Sequence, residues 1–140
     1  MAYLKSELSQ KNQYWIPKHR YYELKHYTLQ YPHWQELYDK CEFKMEAHMD
    51  REVHGSQPSN PTEKWALIRA EFKRAMEQLE ETVNEACKDE PSLAPFLFKA
   101  VTEGLPFIKL QSMMNIPCGK DMYYEYYRKF FFLLSQKRGI

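Results

Sequence analysis

The sequence predicts an all-α fold: a helical bundle with a long central helix and a C-terminal helix-turn-helix. Three observations carry that expectation. Apolar residues recur at three- and four-residue spacing in every segment long enough to show a period. Only four glycines occur in 140 residues, too few for a meander of β-turns. The longest unbroken pattern, from Thr62 to Ala86, has one apolar and one charged face, as an amphipathic helix requires.

The elements follow in order. Tyr3, Leu4, Leu8 and Tyr14 form a weak helical pattern that Pro17 stops. Lys18 to Gln30 reads as a helix with Tyr21, Leu24, Tyr27 and Thr28 on one face. Pro32 suits the first turn of the next helix, where its missing N–H costs little. There Trp34, Leu37, Tyr38, Cys41 and Met45 keep helical spacing as far as Met49. Val53 to Pro61 clusters Gly, Pro, Ser and Asn without a period and reads as a linker.

Thr62 is the expected N-cap of the central helix, whose stripe is Trp65, Ile68, Phe72, Ala75, Leu79, Val83 and Ala86. Glu71, Lys73, Arg74, Glu77, Glu80 and Glu81 lie opposite. Leu93, Phe96, Leu97, Ala100 and Val101 make a further stripe that Gly104 closes. A short helix from Pro106 to Met114, a turn over Asn115 to Gly119 and a final helix from Lys120 to Leu134 complete the chain. Four stretches result: N-terminal aromatic-rich helices at 1–52, a flexible linker at 53–61, the long central helix at 62–90 and a C-terminal helix-turn-helix module at 91–140.

Charge narrows the function. The formal net charge is +1, which excludes a uniformly basic nucleic-acid binder. The last fifty residues hold seven Lys and Arg against three acids, a balance of +4 that leaves −3 for the remainder. A basic end of this kind attracts phosphate locally.

Short helix, turn, longer helix is the rhythm of a helix-turn-helix. Asn115 stands where such motifs need a residue tolerant of positive φ, and Ile116 is placed to plug the angle between the helices. On the last helix Tyr123, Tyr127, Phe130 and Leu134 share the face expected to be buried, widened by Tyr126 and Leu133. The candidate DNA-binding residues lie on the other side, at Lys120, Asp121, Tyr124, Glu125, Arg128 and Lys129. Arg128 has the fork that binds guanine, and Lys120 or Lys129 would neutralise phosphate. Tyr124 would donate to phosphate or pack on a thymine methyl. Lys109 and Gln111, on the short helix, fall where a first helix crosses the backbone.

IPCGKDMYYEYYRKFFFLLS resembles the C-terminal helix-turn-helix of small phage and prophage transcriptional regulators, the RinA-like or ArpU-like group, some of which are described as similar to sigma-factor region 4. Ile116, Pro117, Cys118, Tyr123, Tyr124, Arg128, Lys129, Phe130 and Phe131 carry the resemblance. HRYYELKHYTLQYPHWQ at 19–35 and NPTEKWALIRAEF at 60–72 are similar to other segments of the group. The three blocks span about half the chain. Gly119 and Asp121 depart from the more usual Ser or Arg and Ser or Thr, which makes the recognition surface less basic. The resemblance implies control of phage late or packaging genes, by binding double-stranded DNA or by contacting RNA polymerase.

Other chemistries find little support. Cys41, Cys87 and Cys118 are odd in number and widely spaced, which points to reduced thiols in a cytosol-like compartment rather than a disulfide scaffold; the resemblance implies that this compartment is the cytoplasm of a bacterial host. Neither an apolar leader nor a membrane-length apolar run is present, so no membrane association is expected. The five histidines lack the tight local spacing of a zinc site, and no metal or cofactor is expected. Cys118 at a helix start invites a reactive-thiol reading, but no His accompanies it in sequence. No nucleotide-binding glycine motif occurs, and no enzyme is expected. The aromatic cluster Tyr21, Tyr22, Tyr27, Tyr31 and Trp34 has the chemistry to stack on bases, yet at helical spacing it reads as core. The alternative function is a non-enzymatic interaction module, a bundle binding RNA polymerase or another phage protein. The stripe of the 62–88 helix is long enough to suggest a homodimer through it.

Overall fold

The computed structural model describes residues 12–51 and 61–139, with the backbone alone for residues 46–51. The expected pattern from Tyr3 to Leu8 and most of the 53–61 linker lie outside the described residues. Six α-helices account for nearly all of what is described, and no strand occurs among the described residues. They are α1 (Lys18–Thr28), α2 (Tyr31–Arg51), α3 (Pro61–Ala86), α4 (Ala94–Glu103), α5 (Phe107–Met114) and α6 (Lys120–Arg138). A 3₁₀ turn at Pro91–Leu93 leads into α4. The fold is an all-α helical bundle. Sequence punctuation placed most boundaries within a residue or two. The last helix runs four residues beyond Leu134, because nothing before Gly139 stops it.

The described residues form two compact units, one of those up to Gln30 together with those from Leu79 on, the other of those between Tyr31 and Gln78. The division falls inside α3, and α1 belongs with the C-terminal helices.

In the first unit α1 packs chiefly against α6 and also against α4. It is entered through Asn12, whose side chain accepts from the Tyr14 N–H (2.8 Å) and whose carbonyl accepts from the Trp15 N–H (3.0 Å). Tyr21, Leu24 and Thr28 form its buried stripe. Arg20 reaches the last turn of α6. Its Nε donates to Ser135 Oγ (3.0 Å), and Nη2 donates to the Ser135 carbonyl (3.0 Å) and to the Gly139 carbonyl. The Ser135 carbonyl also accepts from the Gly139 N–H (3.1 Å), and a cation at this end of the helix complements its dipole. Arg138 answers from α6, its guanidinium 3.6 Å from the Tyr27 ring centre. Lys137 pairs with Glu85 near the end of α3 (3.0 Å). The core beneath is Leu79, Val83, Leu93, Leu97, Leu110, Phe130, Phe131 and Leu134, each almost wholly removed from water. Side chains buried to that degree contribute ~1.5–3 kcal/mol apiece.

The second unit has a different texture. Among its described residues Trp34, Cys41 and Met76 are the buried apolar side chains. Charged residues lie over aromatic ones: the Arg69 guanidinium is 4.2 Å from the Tyr38 ring centre, and Lys44 Nζ is 4.4 Å from that of Trp65. Arg69 also approaches Glu42 (3.7 Å). Trp65, Ile68, Phe72 and Ala75, the first half of the central stripe, stay half-buried. Phe43 and Leu67 are largely exposed.

Candidate nucleic-acid interface

The candidate interface is built by two helix stops. Gly104 ends α4 in the left-handed region (φ 70°, ψ 33°). Its N–H and that of Leu105 both donate to the Ala100 carbonyl (2.8 and 3.1 Å). Asn115 ends α5 in the same way (φ 55°, ψ 52°) and is the only described non-glycine residue at positive φ. The Asn115 and Ile116 N–H groups both donate to the Leu110 carbonyl. These are the left-handed stops that glycine and asparagine support. Ile116 is then buried, as the sequence leads one to expect. Gly119 caps α6 in an extended conformation, and its carbonyl accepts from the Tyr123 N–H (3.0 Å).

The structure sorts the eight candidate residues into two groups. Lys109 and Gln111 on α5, and Lys120 and Asp121 in the first turn of α6, are exposed. Tyr124, Glu125, Arg128 and Lys129 are only partly so. Arg128 keeps 15% of its side-chain surface and donates from Nη2 to Glu125 Oε2 (2.8 Å). Its Nε is buried without a hydrogen-bond partner. For Arg128 to meet a guanine it must leave Glu125. Lys129 lies close enough to the Cys87 thiol to oppose the effect of burial there, which nonetheless pushes that thiol up to about 11. Burial likewise raises Cys118. All three cysteines are free thiols.

Tyr124 turns its ring into an aromatic cluster. It meets Tyr123 (4.9 Å between ring centres) and Tyr127 (5.7 Å), both edge-on, and Phe107 at 6.3 Å. Burial raises its hydroxyl pKa, partly offset by a backbone hydrogen bond from Phe107. Burial raises the hydroxyls of Tyr123 and Tyr127 far more. These three stay protonated near neutral pH and act as hydrogen-bond donors.

Sequence reasoning missed what surrounds the exposed lysines. Ile108, Met113 and Met122 are exposed apolar side chains on α5 and α6. Helical phase could have found Ile108, which lies off the Phe107–Leu110 face, but not Met113, which continues the three-residue spacing. The covering of Tyr124 and Tyr127 by α1 had no local signal, because Tyr21 lies more than a hundred positions away. No group of three or more potential metal ligands occurs among the described residues, and no described helix is long and apolar enough to cross a membrane. The fold and this face define the class as an all-α bundle with a terminal short helix–turn–long helix. Set against protein-family models, curated proteins and solved structures, the chain matches none of them.

Proposed function

We propose that the chain is a phage- or prophage-type transcriptional regulator that binds double-stranded DNA through α5, the 115–119 turn and α6. One observation carries this reading. The left-handed stop at Asn115 and the buried Ile116 fix the angle between α5 and α6, with Lys109 and Lys120 exposed on the two helices that flank the turn. Two exposed lysines and an open helix N-terminus are suited to phosphate. Asp121 and Glu125 oppose it, which favours a modest, salt-sensitive affinity. The site of action is the cytoplasm of a bacterial host. A homodimer through α3 would bring two such modules to a palindromic operator.

Fluorescence-polarisation titration of phage-promoter duplex against a scrambled duplex tests the reading. Tighter binding of the promoter supports sequence reading, and equal binding reduces the activity to phosphate contact. Asp121→Ala should tighten both alike, since that carboxylate repels backbone phosphate. Light scattering at micromolar concentration tests the dimer, and a monomeric mass removes that part of the proposal.

A second reading has its own observation. Ile108, Met113 and Met122 expose apolar surface beside the same turn, which suits a protein partner such as RNA polymerase better than it suits DNA. The half-buried Trp65, Ile68 and Phe72 offer α3 as another surface of that kind. Absence of DNA binding at low salt, together with capture of purified polymerase, would select this reading.

A further inference from the structure

Between α1, α4, the 104–106 junction and α6 lies a cavity of about 380 Å³, wholly within the first compact unit. That is near the lower end of the range for ligand cavities, the size for a one- or two-ring molecule. Leu29, Ala100, Val101 and Phe131 contribute apolar wall. Tyr21, Tyr123, Tyr124 and Tyr127 contribute rings, and Lys25 is the only charged side chain among the described lining residues.

The tyrosines supply donors. The Tyr21 and Tyr127 hydroxyls lie 2.6 Å apart and share a hydrogen bond. The Tyr123 hydroxyl is buried with no hydrogen-bond partner, so an acceptor that reached it, after a small shift of its neighbours, would satisfy it. Burial keeps the hydroxyls of Tyr123, Tyr124 and Tyr127 protonated. The rings already meet one another edge-on, with Tyr21 against Phe131 at 76° and Tyr124 against Tyr127 at 82°. A further aromatic ring packs well among such edges and faces. A lining of this kind rejects a cation, because Lys25 repels it. It gives a neutral hydrocarbon no use for its donors.

We propose that this cavity binds a small aromatic carboxylate, its ring among Tyr124, Tyr127 and Phe131 and its carboxylate toward Lys25 and the tyrosine hydroxyls. The occupant touches α1, the α4–α5 junction at Gly104 to Pro106, and Tyr124 of α6. It therefore ties α1 to α6 and to the junction that leads into α5, the position of an effector. Ligand binding does not depend on the DNA reading, because it is measured on DNA-free protein.

The probes are naphthoate, its neutral amide and naphthylmethylamine, titrated by quenching of intrinsic fluorescence. Naphthoate should bind saturably, with the amide about tenfold weaker and the amine not binding, as expected for a charge-assisted contact. Lys25→Met, which keeps the stem and removes the charge, should bring naphthoate down to the level of the amide and leave the amide unchanged. Val101→Trp, which fills the space, should abolish binding of both. Should Val101→Trp lose its helical circular dichroism, the Lys25→Met comparison decides alone. Absence of saturable naphthoate binding, or equal affinity for acid and amide in both the wild type and Lys25→Met, overturns the proposal.

Discussion

The two halves of α3 carry the same apolar spacing and meet different fates. Leu79, Val83 and Ala86 are sealed, at 0–2% exposure, whereas Trp65, Ile68, Phe72 and Ala75 remain half-buried. Periodicity makes a helix amphipathic; it does not say how much neighbouring surface is available to cover the stripe. The first unit supplies that cover from α1, α4, α5 and α6. The second has α2, and there Lys44 and Arg69 lay their charged ends over Trp65 and Tyr38. Contacts of that kind are worth ~0.5–1 kcal/mol at exposed sites, less than a sealed core side chain.

The largest expected contrast comes from truncating one ring in each half of the molecule. Phe130 is fully buried, so Phe130→Ala should cost ~3–5 kcal/mol through the cavity it leaves. Phe72→Ala should cost well under half of that in the same thermal melt. Equal losses would erase the distinction between the units.

Alkaline titration sharpens the comparison. Burial raises Cys87 from 9.0 to about 11 and also raises Tyr123 and Tyr127. Each is neutral when protonated and holds its proton more tightly in the folded chain. Their contribution is therefore complete below pH 9 and is lost as pH rises through that window toward 11 and beyond. All three lie in the first unit, so its core should open first on the alkaline side. Denaturant midpoints at pH 8 and pH 10.5, followed by near-ultraviolet circular dichroism, provide the check. A midpoint that does not move would mean these groups are solvated.

A smaller effect is expected at the turn. Asn115→Val places a β-branched residue in the left-handed region, which costs roughly 1–2 kcal/mol, while Asn115→Gly should be neutral or slightly stabilising. Urea midpoints separate the two. A tolerated valine would show that the turn is not held at positive φ.

The same comparison explains how far the sequence could be read. Helix identity, the stops at Gly104 and Asn115 and the buried Ile116 are local features, and each was legible from residue type and spacing. The placement of Arg128 was not. Helical phase puts it on the face expected to be exposed, but Glu125 at i−3 holds it, and its Nε is buried. Tyr124 likewise belongs to both a helix face and a cavity, and the cavity exists only because α1 packs across it. Pairings across a hundred residues leave no periodic trace.

Salt-dependent DNA binding by Lys109 and Lys120 tests the central claim most directly. Fluorescence polarisation of one duplex would be measured at low and at moderate salt, for the wild type and for the double variant Lys109→Ala, Lys120→Ala. Both lysines are exposed, so the variant should keep its helical content. The expected result is wild-type binding that weakens steeply with salt, and a variant that binds every duplex more weakly with a salt slope lower by about two. Wild-type and variant titrations that coincide, or no binding by either at low salt, would contradict the helix-turn-helix account.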